Sequence, residues 1–169
     1  IRLRPWQSEA LERFANTKGP DFLAVATPGA GKTTFALTAA TQDLADHPGR
    51  RLIVVAPTQH LKHQWSRAAL RFGLHLDPEW SARDGVLPGD MHGIVTTYQQ
   101  VSTSAAALAP LSRGAFVVFD EIHRLEDPSG VLKIAADEYP RLHVLATGSS
   151  TLTATRRFRD SLTGRKSTV

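Results

Sequence analysis

A lysine and two threonines stand directly behind a loop nearly free of side chains. The stretch LAVATPGAGKTT, residues 23–34, runs four apolar residues into Thr27, Pro28, Gly29, Ala30 and Gly31 and closes on Lys32, Thr33 and Thr34. Counted from Ala26, A-T-P-G-A-G-K-T fits the spacing of a phosphate-binding loop, with Ala26 where the first glycine usually stands. The chemistry is anion binding. Backbone N–H groups turn inward around a phosphate, and the helix that opens near Lys32 adds the positive end of its dipole. Lys32 is then the counter-charge for the β- and γ-phosphates of a nucleotide. The Thr33 hydroxyl completes the shell of a Mg²⁺ that also holds phosphate oxygens. An ordinary Gly-rich strand-to-helix turn needs the glycines but has no use for lysine and threonine at this offset.

Holding a nucleotide does not hydrolyse it; hydrolysis also needs a carboxylate pair at the same edge. The stretch FVVFDEIHRL, residues 116–125, supplies one: four apolar residues deliver Asp120 and Glu121 to the end of a strand. Asp120, beside the metal, is placed to anchor Mg²⁺ through its water shell, and Glu121 to orient and deprotonate the water attacking the γ-phosphate. A lone Asp-Glu pair is commonly the acidic first turn of a helix. Here it ends an apolar strand about 90 residues after a phosphate loop, which favours catalysis.

The elements that must bring these residues together follow from the apolar pattern. Strand-like runs at 22–26, 52–56, 93–97, 115–120 and 142–147 alternate with helical patterns near 7–16, 33–46, 59–71, 98–108 and 130–138. That alternation predicts an α/β fold: an open, mostly parallel sheet with helices on both faces and the ligand outside the carboxyl ends of the strands. Residues 74–90, LHLDPEWSARDGVLPGD, are rich in Pro, Gly and Asp and predict no single regular element.

Composition bounds the class. The 169 residues suit one domain, and 41% hydrophobic with 21% charged is an ordinary globular profile. Without cysteine the chain has no disulfide scaffold and no thiolate metal site, and no apolar run approaches the roughly 20 residues of a membrane span. The net charge of +4 resides in the last residues, where Arg156, Arg157, Arg159, Arg165 and Lys166 face only Asp160; residues 1–155 are balanced. The expected division is therefore a nucleotide-binding domain over 1–155 and a basic tail over 156–169. The chain starts at Ile1, and no charged stretch followed by an apolar one succeeds it. The expectation is a soluble, cytoplasmic protein piece trimmed from something longer.

DEIH, residues 120–123, is the DExH form of motif II in superfamily 2 helicases and translocases, and the chain resembles their first RecA-like domain from residue 3 to about 150. LRPWQSEAL, residues 3–11, resembles the element ahead of the phosphate loop; the resemblance implies that Gln7 bonds the adenine edge and that Arg4 lies near the base. VVAPTQHLKHQW, residues 54–65, resembles motif Ia, with Pro57 and Thr58 near a nucleic-acid backbone, and IVTTYQQV, residues 94–101, resembles the T-T-Y element of the same groove, with Thr96 and Thr97. LATGSS, residues 145–150, resembles motif III but ends Ser149-Ser150 where the family usually reads Thr-Pro. By the same resemblance His123 connects the γ-phosphate site to motif III through Thr147. The family implies ATP and Mg²⁺ as ligands and nucleic acid as partner, DNA on the Q-W ending of LKHQW, with RNA open. It also implies a second RecA-like lobe that contributes arginine fingers, and nothing after residue 150 resembles one.

Bland roles compete at several of these positions. Thr58, Thr96 and Thr97 fall at strand ends, where threonines cap the following helices, although a capping hydroxyl and helix N–H groups also form a neutral phosphate seat. Trp6, Trp65 and Trp80 could stack on bases, but Trp65 shares the apolar register of Leu61 and Ala69, which predicts core packing. His123, a turn into its helix, could be packing alone. The other six histidines show no metal-ligand spacing. Two other classes stay open: a different phosphate-loop enzyme, such as an AAA-type ATPase or a packaging motor, and a non-catalytic module that uses the nucleotide fold as a binding surface.

Overall fold

The computed structural model of the protein describes residues 1–17, 21–139 and 141–149. Near-continuous apolar runs form six strands: β1 Asp21–Ala26, β2 Leu52–Ala56, β3 Leu76–Asp77, β4 Gly93–Thr97, β5 Phe116–Phe119 and β6 His143–Ser149. They build one sheet in the order β1-β6-β5-β2-β4-β3, and every pair is parallel. Parallel neighbours need crossover connections, and the crossovers cover both faces, which is why the strands are apolar on both sides.

Side-chain alternation sorts the core into two layers. Phe22, Val54, Val95, Phe116, Val118 and Leu145 pack under α1 Pro5–Asn16, α2 Lys32–Asp46 and α3 Gln59–Leu70, whose Leu11, Phe35 and Trp65 are buried there. Leu23, Val55, Ile94, Val117, Phe119 and Val144 face the other way. They pack under α4 Tyr98–Thr103, α5 Ala105–Ser112, α6 Pro128–Glu138 and a segment carrying Trp80 and Leu87. Because Phe116 and Val118 face α1–α3, the next residue in that series, Asp120, is delivered to the same side.

Register sets the functional edge. Ala26 pairs with Ser149, so β1 and β6 end level, while Phe119 pairs with Ala146, so β5 ends three residues earlier and Asp120 follows at the level of Thr147 and Ala24. Ala56 pairs with Thr97, which sets Pro57 beside Tyr98. Residues 27–31, expected to bind phosphate, the acidic pair and both threonine segments therefore share one carboxyl edge.

The expected elements form, with two differences. The stretch expected as one helix over 98–108 breaks at Ser104 (φ −126°, ψ 25°) into α4 and α5. Serine and threonine side chains supply the alternative bonding that breaks it: Ser102 and Thr103 donate back to Gln99 O. The irregular stretch 74–90 contributes one short piece of order, β3, which pairs with Gly93 and Ile94. The expected basic tail, 156–169, lies outside the described residues.

β4 approaches β2 so closely at Gly93 that an added Cβ would lie 1.7 Å from Leu52 O. Only movement of backbone could relieve that contact. Gly93→Ala is expected to lower stability by about 3 kcal/mol in urea unfolding, whereas Gly89→Ala, which meets nothing within 4 Å, stays within about 0.5 kcal/mol. Equal midpoints for parent and Gly93→Ala would refute the close approach.

Candidate functional site

Residues 27–31 link β1 to α2 and turn on two glycines in the left-handed region, Gly29 (φ +73°) and Gly31 (φ +91°). The first turn of α1 holds three successive carbonyls of this loop. Arg4 Nη1 donates to Gly29 O at 3.1 Å, Trp6 Nε1 to Ala30 O at 3.1 Å, and Gln7 Nε2 to Gly31 O at 2.8 Å. A trans peptide points its N–H opposite to its carbonyl, so the N–H groups of Gly31 and Lys32 face away from α1. Lys32 Nζ closes the loop, donating to Ala26 O at 3.0 Å and Thr27 O at 3.3 Å. A Cβ on Gly31 would come within 2.6 Å of Gln7 Nε2, so this seat requires glycine. Thr27, Pro28 and Gly29 are exposed; Ala30, Gly31, Lys32, Thr33 and Thr34 are half-buried. N–H groups turned outward, an ammonium across the mouth and hydroxyls behind it form a donor set that fits a triphosphate and its metal ion.

Arg4 and Gln7, expected at an adenine, are here engaged with the loop. Gln7 is 2% exposed, and its Oε1 accepts the Arg4 N–H at 2.7 Å. Trp6 had no assigned contact with the loop, although its place between Arg4 and Gln7 in R-P-W-Q was the available signal.

Asp120 is buried, and its groups meet four elements. Oδ2 accepts Trp65 Nε1–H at 2.8 Å and Oδ1 accepts the Thr147 hydroxyl at 2.9 Å. Its backbone N–H donates to Val55 O, and its carbonyl accepts the Tyr98 hydroxyl at 2.8 Å. Each carboxylate oxygen keeps a lone pair for a further donor. Burial pushes the carboxyl above its usual range, the bonds from Trp65 and Thr147 and the charge of Lys32 pull it back, and Glu121 adds to the rise. Burial also drives the Tyr98 phenol upward, followed by the charges of Asp120 and Glu121, so its hydroxyl remains a donor.

Glu121 is the one non-glycine with positive φ among the described residues, at +47°. Such strain in a non-glycine persists where surrounding structure over-determines it. The Glu121 N–H donates to Thr147 Oγ1 at 3.2 Å, and its Oε2 accepts Arg124 Nε at 3.2 Å. His123 Nδ1 accepts the Ser149 N–H at 3.1 Å, which puts the proton of the neutral ring on Nε2; burial holds its pKa below the usual value. The route to motif III thus differs from the expected one. Thr147 serves Asp120 and Glu121, and His123 reaches the strand through Ser149. Ser150 lies outside the described residues.

Further along the edge, Thr58 caps α3, accepting Leu61 N–H at 3.3 Å, and Thr97 caps α4, accepting Gln100 N–H at 3.1 Å. Thr58 is exposed and Pro57 half-buried. Thr97 is 5% exposed and Thr96 fully buried, its hydroxyl without a partner among the described residues. Of the four residues expected along a nucleic-acid backbone, Thr58 is therefore the one with an exposed hydroxyl. Trp65 is core, as its register predicts, yet it also holds Asp120. The signal was periodicity: the β5 alternation and the α3 stripe point both residues into one layer.

A glycine-bearing loop after β1 and an acidic pair after β5, with β6 between them in an all-parallel sheet, make up a RecA-like α/β domain. Over residues 1–156 the chain matches the family described as Type III restriction enzyme, res subunit, and it belongs to that family. It is 45% identical over 123 residues to uncharacterized proteins of Mycobacterium leprae (strain TN) and Mycobacterium tuberculosis (strain CDC 1551 / Oshkosh). Those matches take 72% of this chain. The chain spans about a fifth of the length of these relatives, 21% and 20%. Its fold is similar to the Hef helicase domain of Pyrococcus furiosus, with TM-score 0.70 and 24% identity over 99% of this chain and 38% of that one. The UvsW helicase of bacteriophage T4 gives 0.68 and 13% over 100% and 61%. The Sulfolobus solfataricus SWI2/SNF2 ATPase core, solved with double-stranded DNA, gives 0.61 and 22% over 96% and 34%. Among the described residues no helix is long and apolar enough to cross a membrane.

Proposed function

We propose that this domain is the ATP-binding lobe of a nucleic-acid-dependent ATPase, coupling hydrolysis to movement on DNA. The observation that carries the reading is Thr147. Its one hydroxyl bonds the Asp120 carboxylate and takes the Glu121 N–H, fixing the acidic pair one strand away from the phosphate loop. A structural ion pair or helix cap has no need of a buried carboxylate and the next residue's peptide N–H fixed by one hydroxyl at the same sheet edge as an anion cradle.

Residues 27–34 hold the triphosphate, with Lys32 exchanging its bonds to Ala26 O and Thr27 O for phosphate oxygens. Thr33 and Asp120 would hold Mg²⁺, which would supply positive charge to the triphosphate. Glu121 orients the attacking water and takes its proton as the water oxygen bonds the γ-phosphorus and the bridging oxygen leaves with its electron pair. His123 reports the state of that site to β6 through Ser149. Arg4, Trp6 and Gln7 hold the loop carbonyls toward α1 and so keep the N–H groups of Gly31 and Lys32 turned outward; contact with the base by Arg4 or Gln7 would require a rearranged bonding pattern. Thr58, Pro57 and the N-terminus of α3 form a seat for backbone phosphates, and such contacts carry no sequence information.

DNA as the partner draws support from solved relatives described in complex with a DNA substrate mimic and with double-stranded DNA. The test is phosphate release by the longest natural chain carrying this domain, with no nucleic acid, with duplex DNA and with RNA. Stimulation by DNA is expected. Stimulation by RNA alone would reassign the partner, and turnover indifferent to both would favour a different phosphate-loop ATPase.

A further inference from the structure

The two segments assigned to the nucleic-acid edge meet on one residue of the ATP site. α3, capped by Thr58, carries Trp65, whose indole N–H donates to Asp120 Oδ2 at 2.8 Å. α4, capped by Thr97, opens with Tyr98, whose hydroxyl donates to the Asp120 backbone carbonyl at 2.8 Å. One helix thus holds the carboxylate and the other holds the peptide behind it.

Both links are stiff. Trp65 is 2% exposed, so its indole cannot turn to water without leaving the core. Tyr98 stacks on Phe119, ring centroids 6.2 Å apart and planes 11° from parallel, which fixes the direction of its hydroxyl. The helices are also joined to each other close to their caps. Lys62, 4% exposed and one turn past Thr58, donates to Gln100 Oε1 at 3.5 Å, and Gln100 in turn donates its N–H to the Thr97 cap. The distance to be bridged is short: Thr58 and Trp65 lie seven residues apart, about 10 Å of helix at 1.5 Å per residue.

The hydrolytic chemistry does not by itself call for these donors. Thr147 already holds the carboxylate from β6. A second and third donor from two other elements give Asp120 a position that depends on where α3 and α4 sit, and the exposed Thr58 cap of α3 is where a phosphate backbone would bind.

We propose that Trp65 and Tyr98 are positioning residues that couple occupancy of the nucleic-acid edge to the placement of Asp120 and so to ATP turnover. The inference rests on the proposed function and names the route within it. A phosphate seated at the exposed Thr58 cap shifts the N-terminus of α3, and the Lys62–Gln100 bond passes the shift to α4. The shift reaches Oδ2 through the indole and the carbonyl through the phenol, without any change in the residues that touch ATP. Such coupling is a free energy shared by two sites, and it survives only while a physical element links them.

The experiment compares Trp65→Phe, Tyr98→Phe and Trp80→Phe with the parent in the longest natural chain carrying these residues. It measures ATP turnover with and without duplex DNA or RNA, the KM for ATP and the nucleic-acid affinity. Tyr98→Phe removes one oxygen and keeps the stacked ring, so it remains informative if Trp65→Phe fails to fold. Trp80→Phe is the control for loss of a buried indole that bonds no group of the ATP site. The expected result is a drop of about fivefold or more in the stimulation ratio for Trp65→Phe and Tyr98→Phe, with KM and nucleic-acid affinity within about twofold of the parent. Trp80→Phe keeps the parent's ratio. Full stimulation in Tyr98→Phe and in any folded Trp65→Phe, a ratio that falls only in step with affinity, or an equal fall in Trp80→Phe would overturn the coupling while leaving the proposed function intact. A parent stimulated by neither DNA nor RNA would overturn both.

Discussion

Glu121→Gln is expected to slow ATP hydrolysis by about 10²- to 10⁴-fold, the usual contribution of a positioned general base, while the affinity for Mg–ATP stays equal or tightens. The amide has the shape of the carboxylate but cannot accept the proton of the attacking water. Removing a negative charge beside a triphosphate also relieves repulsion in the bound state. The backbone should not resist the change, since the left-handed φ of +47° at this position suits an amide side chain as well as an acid. Single-turnover hydrolysis, measured with nucleotide binding by calorimetry on the same preparations, separates the two effects. Hydrolysis at the parent rate would remove Glu121 from its role.

The 169-residue chain alone is expected to hydrolyse ATP about 10³- to 10⁵-fold more slowly than a chain in which a second lobe faces the same site, the range attached to a missing arginine finger. Charge develops on γ-phosphate oxygens that the loop and Lys32 reach from one side. Arg4 lies closest in bonding to that loop, yet its guanidinium is occupied by Gly29 O on the α1 side, so it is no substitute for a finger from across the site. Electrostatic catalysis requires donors preorganised where the charge appears. For the same reason DNA should not raise the rate of this chain alone. Phosphate release with and without DNA, compared between this chain and the longest natural chain carrying it, tests the point. Equal, DNA-stimulated rates would show that no second lobe is needed.

Much of this site was legible because its signals are local. Strands β2 and β4 form over the expected bounds, since an apolar run ended by Ala-Pro or by Thr-Thr-Tyr leaves little freedom for where the chain turns. The expectation that residues 27–31 and the pair Asp120–Glu121 stand at one sheet edge came from spacing alone, and the fold puts both there. What the sequence hid is cross-chain pairing. The Trp65–Asp120 bond spans 55 positions and shows in the sequence only as a shared layer, through the α3 stripe and the β5 alternation, and nothing near Trp6 announces Ala30. The break at Ser104 was missed because the apolar register runs through it, while the side-chain bonds that split the helix depend on hydroxyls whose choice of partner is settled by packing. The threonines were read as dual-purpose, and geometry divides them: Thr58 and Thr97 cap, Thr96 is interior.

The central claim is that residues 27–34 seat a nucleoside triphosphate, and calorimetric titration of Mg–ATP into the chain and into Lys32→Ala tests it most directly. Among the described residues Lys32 is the cation bonded to Ala26 O and Thr27 O, while Arg4 is engaged with Gly29 O on the α1 side, and loss of Lys32 removes the counter-charge proposed for the β- and γ-phosphates. The account predicts one saturable site in the parent and binding weakened at least tenfold, about 1.4 kcal/mol, in Lys32→Ala. Equal affinity in the two proteins, or no saturable binding by the parent at millimolar ATP, would contradict it.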